Sequence, residues 1–172
     1  MPKRGFTNKL HAEPMVPINV GTIQQYIDMG RITNDRVLTL KDLVDAGMCK
    51  PSAIKFGIKL LAKGTITTPI QLHVSRASGA AIDAIEQAGG QVTTVHYNQL
   101  ALRALLKPHK FLDDNVPKRA RPPPKLQAYY TNWHDHRGYM SVQAQMRELL
   151  KDRPELEEAF AAALEKKGQT TK

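Results

Sequence analysis

The sequence predicts an α/β core with an extended basic N-terminal arm and a C-terminal linker plus helical extension. Three observations carry that prediction. Between residues 19 and 106, short β-branched or alternating segments interleave with short amphipathic ones, the pattern of strands traded for helices. Residues 1–18 hold Pro2, Pro14 and Pro17 and little apolar matter beyond Phe6 and Leu10, so they read as an arm without a core of its own. Residues 107–138 are proline-rich with neither period, and residues 139–172 return to helical spacing.

Each element follows from local chemistry. In "VGTIQQYIDMGRI", Ile23, Tyr26 and Ile27 share a helical face and Gly30 stops it. In "TLKDLVDAGMCKP", Thr39 caps, Leu40, Leu43 and Val44 form the stripe, Gly47 terminates and Pro51 forbids continuation. "IKFGIKLLAKGTITTPIQLHV" reads as two strands turning at Lys63-Gly64, with the β-branched run Thr65–Thr68 in pleated structure. "SGAAIDAIEQAGG" is the clearest helix, capped by Ser78, faced with Ala81, Ile82, Ile85 and Ala88, and closed by Gly89-Gly90. "QVTTVHYN" is a strand, and "NQLALRALL" a short leucine-rich helix.

Beyond it, "KPHKFLDDNVPKRARPPPKLQAYY" has five prolines in 24 residues and reads as a stiff, self-repelling spacer. The aromatic patch "YYTNWHDHRGY" follows, and then two helices. "SVQAQMRELLK" spaces Val142, Met146, Leu149 and Leu150 helically, while "DRPELEEAFAAALEKK" opens with Asp152 and Glu155 in a capping arrangement and carries Leu156, Phe160, Ala163 and Leu164 as its stripe. The domain boundaries are then 1–18 for the arm, 19–106 for the core, 107–138 for the linker with its aromatic patch, and 139–172 for the helical extension.

Charge narrows the function class. The 172 residues carry 25 Lys and Arg against 16 Asp and Glu, a net charge of +9. Residues 107–137 hold seven cations against three acids, and the first ten residues hold three cations and no acid. A basic enzyme would be expected to steer substrate with charge on its folded body. Here the charge concentrates in the segments least able to fold alone, which suits tethers to a polyanion. The sole cysteine, Cys49, excludes an internal disulfide and the usual thiolate zinc sites. No long apolar run predicts a membrane span, and no apolar h-region of a secretory signal is visible.

Each motif has a sharp and a plain reading. Lys3, Arg4 and Lys9 either contact a polyanion or belong to a solvated terminus. "PKRARPPPK" is open to three uses, a nuclear localisation patch, a PxxP ligand or an RNA-tracking strand through Lys118, Arg119 and Arg121; the last is favoured over a solvated linker. Tyr129, Tyr130, Trp133 and Tyr139 stack on bases or fill a neighbouring protein's groove, or else pack on the chain's own helices. His134, Asp135 and His136 offer H-x-H without a third ligand at a recognisable spacing, so no metal or other cofactor is expected. Ser75, Arg76 and Ser78 precede a helix start that is either an anion seat or an ordinary cap. Lys50, Lys55, Lys59 and Lys63 dot the hairpin region, the last three sharing one strand face by parity. No G-x-S-x-G, P-loop, G-x-G-x-x-G or H-E-x-x-H motif is present, and Asp113-Asp114 lie in the linker, so no active site is read.

"PKRGF" at residues 2–6 resembles the "LPKxGF" signature of the large-subunit ribosomal protein L-fifteen family. "LVDAGM", "FGIKLLAKGTITTPIQLHV" and "SGAAIDAIEQAGGQV" resemble that family's C-terminal domain in order and spacing, so the match covers roughly residues 2–95. The resemblance implies a basic arm joined to irregular β-β-α units, and a non-enzymatic role: binding large-subunit rRNA and supporting subunit assembly beside neighbouring ribosomal proteins. It implies no small-molecule substrate. The RNA-facing candidates are then Lys3, Arg4, Lys9, Lys50, Lys55, Arg76, Lys107, Lys110, Lys118, Arg119, Arg121 and Lys125. Two departures stand out. The family's Gly/basic-rich segment upstream of the signature does not precede it here, as expected either of a fragment of a longer protein, the favoured reading, or of a member that has lost that arm. Residues 96–172 exceed the bacterial pattern and resemble the extensions of fungal mitochondrial members, a resemblance that implies a place in the mitochondrial matrix, within the mitochondrial ribosome. The competing readings are an RNA-binding assembly factor outside the mature ribosome, a small hydrolase using His134–His136, and an adaptor recruited through "RPPP".

Overall fold

A computed structural model describes residues 1–112 and 115–151. Two small parallel sheets form its frame. The first orders β1 (Val16–Asn19), β2 (Ile58–Leu61) and β4 (Arg76–Ala77), with Val16 opposite Ile58 and Leu60 opposite Ala77. The second pairs β3 (Gln71–Val74) with β5 (Gln91–Thr94), Leu72 lying opposite Val92. Single parallel bridges extend this second sheet on both sides, Leu38 to Leu72 and Thr94 to Gly138.

Helices cover the sheets as the apolar spacing requires. Helix α1 (Val20–Asp28) buries Val20 and Ile23, and a left-handed Gly30 follows it. Helix α2 (Leu40–Asp45) buries Leu40 and Leu43; the Asp42 carboxylate accepts from the backbone N–H and the hydroxyl of Thr39, each at 2.7 Å. Helix α3 (Gly79–Gln87) buries Ala81, Ile82 and Ile85 between the sheets. Ser78 precedes it in extended geometry, but its hydroxyl makes no capping bond and is buried without a partner. Helix α4 (Gln99–Leu106) is capped by Asn98, whose side chain accepts from the Ala101 N–H at 3.1 Å. These apolar faces meet Ile58, Leu60, Leu72, Val74 and Val92 in one cluster.

The expected hairpin turning at Lys63-Gly64 does not form. The turn exists, with Gly64 at φ +94°, yet β2 and β3 join different sheets and Thr65–Thr68 is in no strand. Backbone accounting explains the outcome. The N–H groups of Thr67 and Thr68 donate to the side-chain oxygen of Gln24 on α1, at 3.1 and 3.2 Å, and Pro69 has no N–H to offer a ladder. The turn is also pinned to α1. A Cβ on Gly21 would lie 2.8 Å from the Gly64 Cα, and the Gly21 N–H donates to the Lys63 carbonyl at 3.0 Å.

The C-terminal segment differs more. The spacer reading fails at its far end, where Pro124–Thr131 forms helix α5, with proline filling a first-turn position that needs no N–H donor. Helix α6 (Trp133–His136) follows, where a loop was expected, and then α7 (Val142–Lys151), where a helix was expected. Asp113, Asp114 and the stripe of Leu156, Phe160, Ala163 and Leu164 lie outside the described residues. No helix among those described is long and apolar enough to cross a membrane.

Candidate nucleic-acid interface

The clearest convergence of charge lies where α4 runs into the linker. Ala101, Leu102 and Ala104 face inward on α4, which turns Arg103 outward. Helix α4 ends at Leu106 with Lys107 as its C-cap before Pro108, and a 3-10 turn over Pro108–Lys110 brings Lys110 round beside Lys107. The loop after α2 supplies the opposite wall. A groove is lined there by Pro51, Ile54, Lys55, Leu102, Arg103, Leu106, Lys107 and Lys110.

Ile54 and Leu102 are buried in its floor, whereas Lys55, Arg103 and Lys110 are exposed and Lys107 is half-buried. None of the groove's four cations pairs with a carboxylate among the described residues. Four cations without carboxylate partners among the described residues, set around an apolar floor, repel one another, so the arrangement favours an anion arriving to separate them. Lys50 lies exposed at the start of the same loop. Arg103 was missed by the sequence reading. Its signal was present, since it is the one charged residue on a helix of leucine and alanine.

The basic arm is open. Lys3, Arg4 and Lys9 are exposed and in no ion pair among the described residues, and a 3-10 turn spans Asn8–His11. Lys118, Arg121 and Lys125 are exposed along the linker and the first turn of α5. The remaining cations of the expected set are engaged otherwise. Arg76 sits half-buried with its guanidinium carbon 5.4 Å from the Tyr129 ring centroid and a guanidinium nitrogen 3.7 Å from the Glu13 carboxylate. Arg119 lies over the Tyr139 ring at 4.6 Å. The common face expected for Lys55, Lys59 and Lys63 does not exist, because β2 spans only Ile58–Leu61 and leaves Lys55 and Lys63 outside the strand.

The aromatic patch folds back onto the core. Tyr130 is 2% exposed and its hydroxyl donates to the Ser75 carbonyl at 3.0 Å. Burial pushes its pKa up to about 12. His96 meets its ring edge-on at 5.4 Å, and burial lowers the His96 pKa. Tyr129 stacks on His136 at 3.9 Å. Trp133 lies beneath Arg137 and Arg147, at 5.5 and 4.8 Å. Arg137 holds the fold-back together. It donates to both Glu86 oxygens, at 2.6 and 2.8 Å, and to the carbonyls of Trp133 and His134. Those hydrogen bonds hold the Glu86 carboxyl below its usual range. Gly138 then bridges to β5: the Thr94 N–H donates to the Arg137 carbonyl and the Tyr139 N–H to the Thr94 carbonyl.

His134 is 98% exposed, and the Asp135 carboxylate accepts from the Asn132 amide at 2.7 Å. Among the described residues no three His, Cys, Asp or Glu side chains converge as a metal site would require.

Comparison with known proteins bears on this arrangement directly. Residues 17–93 match a family described as ribosomal proteins 50S-L15 and 50S-L18e together with their 60S counterpart. A protein named "Large ribosomal subunit protein uL15m" from Schizosaccharomyces pombe is 37% identical over 156 residues, covering 86% of this chain and 57% of that one. The chain belongs to the uL15 ribosomal-protein family. A second mitochondrial-type relative, from Neurospora crassa, is 38% identical over 61% of this chain and 34% of its own. The "Large ribosomal subunit protein uL15" of Methylorubrum extorquens is 43% identical, but over 55% of this chain and 54% of that protein. This chain thus spans a third to three-fifths of these relatives' length. The Schizosaccharomyces similarity runs well beyond the core into the fold-back, which makes this uL15 chain a member of the mitochondrial type.

Proposed function

We propose that this uL15 chain is a structural, non-catalytic constituent of the mitochondrial large ribosomal subunit, where it binds large-subunit rRNA and supports assembly and translation. The observation that carries the RNA reading is the groove of Lys55, Arg103, Lys107 and Lys110, four cations without carboxylate partners among the described residues, on an apolar floor. Phosphates of folded RNA supply the missing counter-charge, and each one neutralised releases condensed counterions. The arm cations Lys3, Arg4 and Lys9 and the linker cations Lys118, Arg121 and Lys125 extend the same contact along the backbone. Arg76, Arg119 and the aromatics Tyr129, Tyr130, Trp133 and Tyr139 hold the C-terminal segment in place. The outer face of that segment, including α7, then meets neighbouring ribosomal proteins in the mitochondrial matrix.

Gradient sedimentation of mitochondrial lysate tests the proposal, with and without RNase, following wild type and a Lys55→Ala/Arg103→Ala/Lys107→Ala/Lys110→Ala variant. Wild type should travel with the large subunit and leave it on digestion. The variant should already be depleted from the subunit at low salt, and its remaining binding should fall less steeply as salt is raised, each lost phosphate contact removing about 0.7–0.9 from the logarithmic salt slope. Wild-type protein remaining at the top of the gradient in both samples would refute the ribosomal assignment.

A further inference from the structure

We propose that Phe6 is a base-stacking residue, so that the N-terminal arm reads an unstacked nucleobase as well as the phosphate backbone. Its ring is 92% exposed, a large apolar surface left in water on the basic arm. A single exposed ring is ordinary on a protein surface; what marks this one is the charge and the backbone around it.

The charge around it selects the partner. Lys3 and Arg4 precede it, Lys9 follows, and the first acid in the chain is Glu13, which faces Arg76. A protein groove taking an apolar anchor would have to accommodate those three cations. RNA offers the flat apolar faces of bases within a few ångströms of phosphates, which is the same pairing of chemistries in one ligand.

The backbone adds a second observation. Gly5 has φ +86°, a conformation other residues adopt only under strain, and a Cβ there would meet nothing within 4 Å. Glycine at this position is therefore required by the turn itself and not by crowding. The chain bends at Gly5, between Lys3 and Arg4 on one side and Phe6 on the other. This inference rests on the RNA reading above and assigns a residue and a ligand class to it.

The test compares full-length wild type with Phe6→Ala, Phe6→Leu, Phe6→Trp and Lys3→Ala/Arg4→Ala/Lys9→Ala. Each is titrated over a range of salt against transcribed mitochondrial large-subunit rRNA of Schizosaccharomyces pombe and against inorganic polyphosphate, a polyanion without bases. Phe6 is almost fully exposed, so these variants leave folding intact. Stacking predicts that Phe6→Ala weakens RNA binding between about fivefold and a hundredfold. It also predicts an unchanged salt slope, an unchanged affinity for polyphosphate, and RNA binding retained by Phe6→Trp. The triple-cation variant should instead flatten the slope by about 2–3. Undiminished RNA binding by Phe6→Ala, or wild-type binding by Phe6→Leu, overturns the stacking assignment and leaves the RNA reading standing. Wild type that binds RNA without salt dependence overturns both. If Phe6→Ala binds RNA normally but fails to enter the subunit, the ring docks on protein and the inference is wrong.

Discussion

Replacing Tyr130 by Phe isolates the bond that ties the C-terminal fold-back to the core. The ring stays, with its edge-on contacts to His96, Tyr129 and Tyr139 at 5.4, 5.1 and 6.0 Å. What goes is the 3.0 Å bond from the hydroxyl to the carbonyl of Ser75, a residue only 2% exposed. That carbonyl is then left buried with a lone pair unmet, at a cost of about 1–2 kcal/mol. The loss falls on docking of the segment, because the core sheets keep their own ladders. Amide hydrogen exchange separates the two. Thr94 and Tyr139 donate across the bridge between β5 and the fold-back, and Met140 donates to the Tyr130 carbonyl at 3.0 Å. Leu38 and Gln91 donate within the core, each at 2.7 Å. The Phe variant should accelerate exchange at Thr94, Tyr139 and Met140 by about 5- to 30-fold while Leu38 and Gln91 hold. Equal acceleration at all five would mean that the segment and the core open as one unit. No acceleration would mean that the hydroxyl bond contributes nothing, and either result would refute the reasoning.

Two further outcomes follow from the same region. The Tyr130 pKa is raised from 10 to about 12, so its contribution is complete below pH 10 and is lost as pH climbs through 12. Glu86 has the opposite sign: its pKa is lowered from 4.5 by Arg137, so its contribution holds above that value and fades as pH falls further. Melting temperature against pH should therefore show an alkaline limb that Tyr130→Phe makes shallower and an acid limb that Glu86→Gln makes shallower; exchanged or unaffected limbs would contradict the assignment. Gly138→Ala places a Cβ 2.1 Å from the Tyr130 carbonyl oxygen, backbone that cannot step aside, and should cost about 3 kcal/mol or more by urea denaturation. Gly79→Ala, with nothing within 4 Å, is the control and should be close to neutral.

The core elements were legible because their signals are local. Leu40, Leu43 and the glycine after them specify a short helix whatever surrounds it, as do Ala81, Ile82 and Ile85 with Gly89-Gly90. The groove was half legible. Lys55, Lys107 and Lys110 stood out as cations, but nothing in sequence order says that a loop after α2 and the end of α4 face each other.

Strand partnership was not legible, since pairing is a contact between distant residues. Two β-rich runs joined by Lys63-Gly64 satisfy every local rule for a hairpin, and the rule was overridden by Gln24, 43 residues away from Thr67, taking the amides a hairpin would have used. The aromatic patch was legible only as a set of open alternatives. By spacing alone Tyr129, Tyr130, Trp133 and Tyr139 are rings awaiting a partner, whether base, foreign groove or the chain's own helices. The structure supplies that partner from within, through Ser75, Glu86 and Thr94. The sequence by itself determined the short helices, the basic character and the family, all of which depend on neighbours along the chain. Only the tertiary structure decided which strands pair, which cations converge and which aromatics are already covered, because each of those is settled by hydrogen bonds and apolar contacts between residues far apart in order.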